Sequence, residues 1–529
     1  MRSILLGIGI LSVVLVSCRK EKAAWESNWT LPLVNDTLDL KNLVTDSILG
    51  VNGSGFYQLE INRNIFDVQL ADYIEIPDTT VSQQYAISGS LNVTAGTSFV
   101  NNNKDHNFDL QGAQMKKVRI STGSIKVSVE SPIETKTIFT VKLPKAKKNG
   151  QAISQTFHAP PGTNENPSVV SNTIDLAGYE LDLTGSTGGG FNLLQSQMII
   201  QTDPDGDAVS VNNTDTSKFI IEMKGIRLDY GRGYFGNLVI EDTTDLYVDF
   251  LNKITAGNLN LPATSIAFII SNGIKVAGKA TLNTLSNTNE ITGNTVALSH
   301  PQLGLPFTIE QATGTWDAFF ASIRTLLFTS SNSNVEQFIE NLGAKQKINF
   351  KVELNPQGNT SAGWDEFFPN SKLQVLMKAQ MPLSAALTNL TIQDTFAINL
   401  ANDTEKTHIV SGKIKLGVSN AFPLQGEVRM FLLNEANQVV ETILGSSEIM
   451  SSVYGTAPVS GELQKANSTV YFYLNQQTLN QMDQIKKIVV RVVLNTPNPT
   501  TQTSDFVTIP EGAYVGLKVN TSFQLENRL

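Results

Sequence analysis

The chain has 529 residues, 41% of them hydrophobic, and mean hydropathy near zero, which is enough apolar material for several cores and excludes a disordered chain. A formal charge of −9 argues against a nucleic-acid partner. Charged residues make up only 16%, against roughly 25% in average soluble domains, and Asn, Thr, Ser and Gly fill the polar positions instead, the profile of a β-rich envelope protein.

Met1 and Arg2 give a positive end, and residues 4–16 are apolar apart from Gly and Ser, the layout of a secretory signal. The run is too short for a permanent membrane helix. Leu15-Val16-Ser17-Cys18 resembles the lipobox of bacterial lipoproteins, which implies lipid on Cys18, cleavage after Ser17 and a signal peptide over residues 1–17. Cys18 is the only cysteine, so the body can form no disulfide of its own. Several acyl chains on one residue make anchoring stable. Residues 18–24 then form a lipidated tether, basic through Arg19, Lys20 and Lys22. Fully extended it reaches roughly 20 Å, so the first folded part is expected near the lipid surface.

The body begins at Trp25 with an N-terminal β region over residues 25–240. Tyr57-Gln-Leu59-Glu-Ile61 alternates at period two, and Ile125-Lys-Val127-Ser-Val129 and Ile138-Phe-Thr-Val141-Lys-Leu143 continue the strand pattern between turn-rich stretches. A middle β module with short helices is expected over residues 241–395 and a C-terminal β-sandwich module over 396–529. Residues 316–328, with Phe319, Phe320, Ile323, Leu326 and Leu327 at helical spacing, predict one helix. Residues 333–342, with a capping box at Ser333 and Glu336, predict a second, and residues 478–486 a third.

Two phrases repeat. Gly123-Ser-Ile-Lys-Val-Ser-Val129 with Ile133 matches Gly412-Lys-Ile-Lys-Leu-Gly-Val418 with Phe422, and Gly257-Asn-Leu-Asn-Leu261 is a looser copy. Asn237-Leu-Val-Ile-Glu-Asp-Thr243 matches Asn389-Leu-Thr-Ile-Gln-Asp-Thr395, each followed about thirty residues on by Ile270 to Gly278 and Val418 to Gly426. Such long periods exclude a solenoid. The predicted fold is therefore mainly β: several β-sandwich-like modules in series with two or three short helices.

Sites of chemistry are scarce. Gly273-Ile-Lys-Val-Ala-Gly278-Lys279 fits a phosphate-cradling loop until Ala280 stands where a Ser or Thr is required, and its flanks read as strands, so no nucleotide is expected. Asp203-Pro-Asp205-Gly-Asp207 starts like a calcium loop, but Gly206 comes fourth and Thr214 occupies the twelfth position, so an acidic turn is favoured and Asp203, Asp205 and Asp207 stay weak metal candidates. His106, His158, His300 and His408 stand apart, and no Gly-x-Ser-x-Gly elbow exists. No catalytic residue and no cofactor is expected.

Trp29-Thr-Leu-Pro-Leu33, the Ile-Pro-Asp-Thr ending at Thr79, Gly233-Tyr-Phe-Gly236, Ser331-Asn-Ser-Asn334, Asn355-Pro356, Met381-Pro-Leu383 and Asn420-Ala-Phe-Pro423 together resemble a family of Bacteroidota outer-membrane lipoproteins of about this length. The resemblance implies location and a β-rich architecture, and it brings no activity. Surface-exported lipoproteins of that phylum often carry an acidic cluster soon after the lipidated Cys; Arg19-Lys20-Glu21-Lys22 has none, which favours the periplasmic face. The expected role is a non-catalytic, lipid-anchored structural or binding protein, presenting β-modules to an envelope protein or glycan. The alternative is a lipid carrier with a groove formed by a long curved sheet, which residues 373–381 could line.

Overall fold

The computed structural model describes residues 24–40, 48–74, 76–110, 112–397, 407–456, 462–481, 484–497 and 506–528. The predicted signal peptide, Cys18 and the tether before Ala24 lie outside them. As the sequence predicts, the chain is mainly β. Strands such as Leu193–Thr202 and Ser265–Asn272 bury every second residue, so side-chain burial and backbone pairing are satisfied by the same geometry.

The sheets assemble into three sandwiches with one shared topology. In the third, Ala24–Asp39, Tyr514–Arg528, Thr407–Asn420 and Ala466–Leu474 lie side by side in one layer. Ser384–Ala397, Lys487–Asn495, Gln425–Leu433 and Val439–Leu444 form the other. In the second, one layer is Tyr57–Val68, Leu373–Pro382, Ser265–Asn272 and Ser322–Thr329. Its other layer is Leu238–Tyr247, Lys345–Leu354, Gly278–Thr288 and Thr295–Ala297. In the first, Thr79–Tyr85, Ser217–Tyr234, Gln114–Ser131 and Ser168–Asp175 face Ser98–Asn107, Leu193–Thr202, Thr137–Lys148 and Gln151–Ala159. Every layer is antiparallel, and the strands occur in the same sequence order in all three.

One strand of each sandwich comes from far away. Ala24–Asp39 completes the third sandwich, Tyr57–Val68 the second and Thr79–Tyr85 the first, so the N-terminal segment deals out its strands in reverse order. Strand pairing therefore crosses residues 240 and 395. One continuous buried cluster runs through the first two sandwiches and reaches Ala385, Leu387 and Leu390 on the nearest strand of the third, while Val428, Met430, Val470 and Phe472 belong to a separate core within the third.

The repeated phrases map onto this symmetry. Residues 123–129 and 412–418 lie on equivalent strands, Gln114–Ser131 and Thr407–Asn420, and residues 237–243 and 389–395 lie on or begin beside equivalent strands, Leu238–Tyr247 and Ser384–Ala397. The looser phrase at Gly257 falls elsewhere, on Ile254–Asn260, which adds to the edge of the third sandwich. Its glycine answers a β-bulge: φ is +99° and a Cβ would strike the Asn389 carbonyl.

All three predicted helices need correction. Residues 316–328 are strand, because Thr313–Thr315 and Ala318–Phe320 form a hairpin and Ser322–Thr329 then pairs with Ser265–Asn272. Ile323, Thr325 and Leu327 point outward while Phe328 is buried, a period of two that the helical reading of the same apolar residues concealed. The helix predicted over 478–486 is Gln476–Asn480, capped by Asn475 accepting from the Thr478 amide, with residues 482 and 483 outside the described set. The helix near 333–342 is Val335–Glu340, but no capping box forms: Asn334 is the cap position and its side chain bonds Ser299 and Ala297 instead.

Candidate ligand surface at the joint of the first two sandwiches

The strands Gln114–Ser131 and Ser217–Tyr234 run beyond the first sandwich after bulging at Gly123 and Gly225, whose φ values are +137° and +63°. Their far halves meet a loop of the second sandwich, where Asp365–Phe367 pairs with Gly231–Gly233. The glycines on either side of Arg232 permit this: a Cβ on Gly231 would enter the Phe367 ring, and one on Gly233 would strike the Gln114 carbonyl.

Most charges here are compensated. The Tyr230 hydroxyl donates to Glu366 Oε1 at 2.6 Å and Lys275 Nζ donates to Glu366 Oε2 at 2.8 Å, so Glu366 joins the two sandwiches. Burial, reinforced by Glu366, pushes the Tyr230 hydroxyl pKa far up and keeps it a donor. Arg119 binds Asp229 through two nitrogens at 2.9 and 2.8 Å, and Lys117 pairs with Glu180 at 2.6 Å. Arg232 is different. It stands directly opposite Lys117 across the strands, no ion pair engages it among the described residues, and its Nε is shielded from solvent without an acceptor.

Two of the chain's four tryptophans frame these cations. Trp316 lies 4.6 Å from the Arg119 guanidinium and 5.2 Å from Lys117 Nζ, and meets Tyr230 edge-on at 4.9 Å. Trp364 lies 4.9 Å from Arg232 and 5.6 Å from Lys116 Nζ, yet remains 59% exposed. Its loop is pinned: Gly363 N donates to Asn359 at 2.8 Å, and Asn355 Nδ2 donates to the buried Asp365 carboxylate at 2.8 Å. Desolvation raises the Asp365 pKa, while its bonds from Ser361 and Asn355 oppose the shift. Sequence reasoning missed this joint. Tyr230-Gly-Arg-Gly carried a signal in the small residues flanking a cation, but nothing linked it to residues 316 and 364.

The residues singled out from sequence behave otherwise. Asp203 closes a turn by accepting from the Asp205 amide at 2.9 Å, and its other oxygen lies 3.4 Å from His158 Nδ1; the Asp207 amide bonds Thr135 at 2.9 Å. No three His, Cys, Asp or Glu side chains gather as a metal set among the described residues. The phosphate-loop-like stretch at Gly273 is a corner between two sheets, with Lys275 committed to Glu366. One histidine is less isolated than its sequence context: His106 Nε2 lies 2.7 Å from Ser196 Oγ. Both are buried in the first core, out of reach of a substrate.

Residues 373–381 line a small apolar cavity through Met377, Ala379 and Met381. Leu373, Met377, Ala379 and Met381 face the second core, and the apolar cavity there measures about 80 Å³. At the open end of the same sheet, Ser322–Thr329 presents Ile323 and Leu327 at 68% and 51% exposure beside Phe320. The equivalent strand of the third sandwich is instead covered by residues 446–450, through Ser446 and Met450 amides bonded to Tyr471 and Ser468.

No protein-family model and no curated protein matches the chain. Among solved structures it is similar to a protein of Parabacteroides distasonis ATCC 8503 described as secreted, at 11% identity over 54% of this chain and 82% of that one, with a TM-score of 0.27. It is also similar to the infectious bursal disease virus Gx strain structure, at 9% identity over 85% of this chain and 81% of that one, with a TM-score of 0.12. Likenesses this slight carry no conclusion about fold or function.

Proposed function

We propose that the chain is a lipid-anchored cell-envelope protein, non-catalytic, that presents its sandwiches to a protein or glycan partner, with the third sandwich nearest the membrane and the first outermost. The observation that carries this reading is the pairing of Ala24–Asp39 with Tyr514–Arg528, with Ala24 opposite Arg528. Lipid on Cys18 would hold Ala24 within roughly 20 Å of the bilayer. From there the N-terminal segment visits the third, second and first sandwiches in turn, so their order from the anchor is the reverse of their order in sequence. The family resemblance supports the outer membrane, and the lack of an acidic cluster in Arg19-Lys20-Glu21-Lys22 supports its periplasmic face.

Two measurements test this. Labelled palmitate should enter the wild-type chain and not Cys18→Ser; equal labelling of both would remove the anchor. Dyes placed on Tyr473→Cys in the third sandwich and Val169→Cys in the first, both exposed positions, should transfer energy to a membrane-surface acceptor more strongly from residue 473. The opposite order would overturn the proposed orientation.

A further inference from the structure

We propose that the joint between the first two sandwiches binds an acidic oligosaccharide, with Arg232 receiving a sugar carboxylate and Trp364 stacking on the sugar ring; this rests on the binding-protein reading above. Arg232 and Lys117 are direct cross-strand neighbours of like charge, an arrangement that destabilises a sheet. Glu180 answers Lys117, and Glu366, the neighbour of Arg232 on the other side, is already held by Tyr230 and Lys275. Arg232 is left with its Nε desolvated and unbonded. A native protein keeps few such groups, and each calls for an explanation. The shielded Nε cannot itself meet a ligand, but Arg232 is only partly buried and its terminal guanidinium nitrogens are not among the shielded atoms, so they are the donors an anion would meet.

The chemistry of the missing partner follows from what surrounds the cation. A guanidinium offers a planar fork of donors that fits a carboxylate, and Lys116 adds a second charge beside the same indole without an ion pair of its own among the described residues. The chain is acidic overall, so these cations are a local exception and not a general attraction for polyanions. Trp364, 59% exposed, provides a flat apolar face with a polar edge, suited to the alternating C–H and hydroxyl surface of a sugar. Because Asn359, Ser361 and the Asn355–Asp365 bond already fix the loop, little conformational entropy is lost when a ligand docks. A neutral glycan would leave Arg232 unanswered, and a small anion would leave Trp364 unused.

The test uses the purified mature chain and follows tryptophan emission and binding heat during titration with oligogalacturonate, a neutral malto-oligosaccharide and inorganic phosphate. Oligogalacturonate should bind and change the emission, more weakly as salt is added. Arg232→Gln should weaken it roughly ten- to a hundredfold, the worth of a charge-assisted hydrogen bond, Trp364→Ala should weaken it similarly, and Arg232→Lys should retain an intermediate affinity. Lys116→Gln, a milder change at the rim, guards against misfolding of the other variants and should weaken binding severalfold. No binding of oligogalacturonate, equal binding of the neutral sugar, phosphate binding as tight as the oligomer, or unchanged affinity in Arg232→Gln would each overturn the proposal. These measurements need no lipid, so their failure leaves the anchoring test standing, and failure of palmitate labelling leaves this one standing.

Discussion

Asn272 and Asn420 make the same three hydrogen bonds in different sandwiches. Each ends a strand where the chain crosses between layers. Each Oδ1 accepts from the amide two residues on, Ile274 at 3.0 Å and Phe422 at 2.9 Å. Each Nδ2 donates to the carbonyl four residues on, Val276 at 3.3 Å and Leu424 at 2.8 Å, and to one remote carbonyl, Glu310 or Met450, both at 2.9 Å. In the first sandwich the buried Ser131 holds this place with one bond, from the Ile133 amide at 3.4 Å.

Asn272→Ala or Asn420→Ala removes those bonds and strands buried backbone groups, so each should cost about 2–3 kcal/mol. Asn420→Ser should cost less than Asn420→Ala, because a serine already fills the corner of the first sandwich. Urea midpoints check this; equal losses for Ser and Ala would mean that the corner depends on shape and not on its hydrogen bonds.

The repetition of Ser-Asn at residues 271–272 and 419–420 made this corner partly legible, and the alternation of Leu59 and Ile61 or Val127 and Val129 made the strands legible. The topology was not. Nothing local in Trp25 to Leu33 says that its partner lies beyond residue 510, because pairing between distant strands is chosen by tertiary context and leaves no spacing to read. The same limit hid the joint. Arg232, Trp316 and Trp364 are ordinary residues in isolation and become a site only when two sandwiches meet.

The joint itself should weaken when Glu366 loses a donor. Tyr230→Phe leaves a mostly buried carboxylate with Lys275 alone and should cost about 1.5–3 kcal/mol. Lys275→Met should cost a similar amount, and the double variant should depart from additivity because both donors serve one carboxylate. Hydrogen exchange of the amides in Asp365–Phe367 reads the joint directly. Strict additivity of the two losses would show that Glu366 does not couple them.

Glycine at residue 123 is required by both backbone and space. Its φ is +137°, and a Cβ there would lie 2.9 Å from the Ile226 Cα. Gly123→Ala should therefore cost more than about 2 kcal/mol. Gly188→Ala, with φ +78° but nothing within 4 Å, should cost about 1 kcal/mol. Thermal melts of the two variants separate clash from backbone preference, and comparable losses would mean that the long strands absorb the methyl at their bend.

Acid should loosen the first sandwich through His106. The imidazole is 4% exposed, and burial, aided by Lys104 and opposed by Asp105, lowers its pKa below 6.5. As pH falls, the unfolded chain then takes up this proton before the folded one does. The contribution is complete above about pH 6.5 and is lost as pH falls toward the lowered folded value. His106→Gln can keep a hydrogen bond to Ser196 without titrating, so it should lower stability at neutral pH yet lose less than wild type between about pH 7.5 and 5.5. Other groups titrate alike in both proteins and cancel in the comparison. A parallel fall in urea midpoint for wild type and variant would remove His106 as the source of the acid sensitivity.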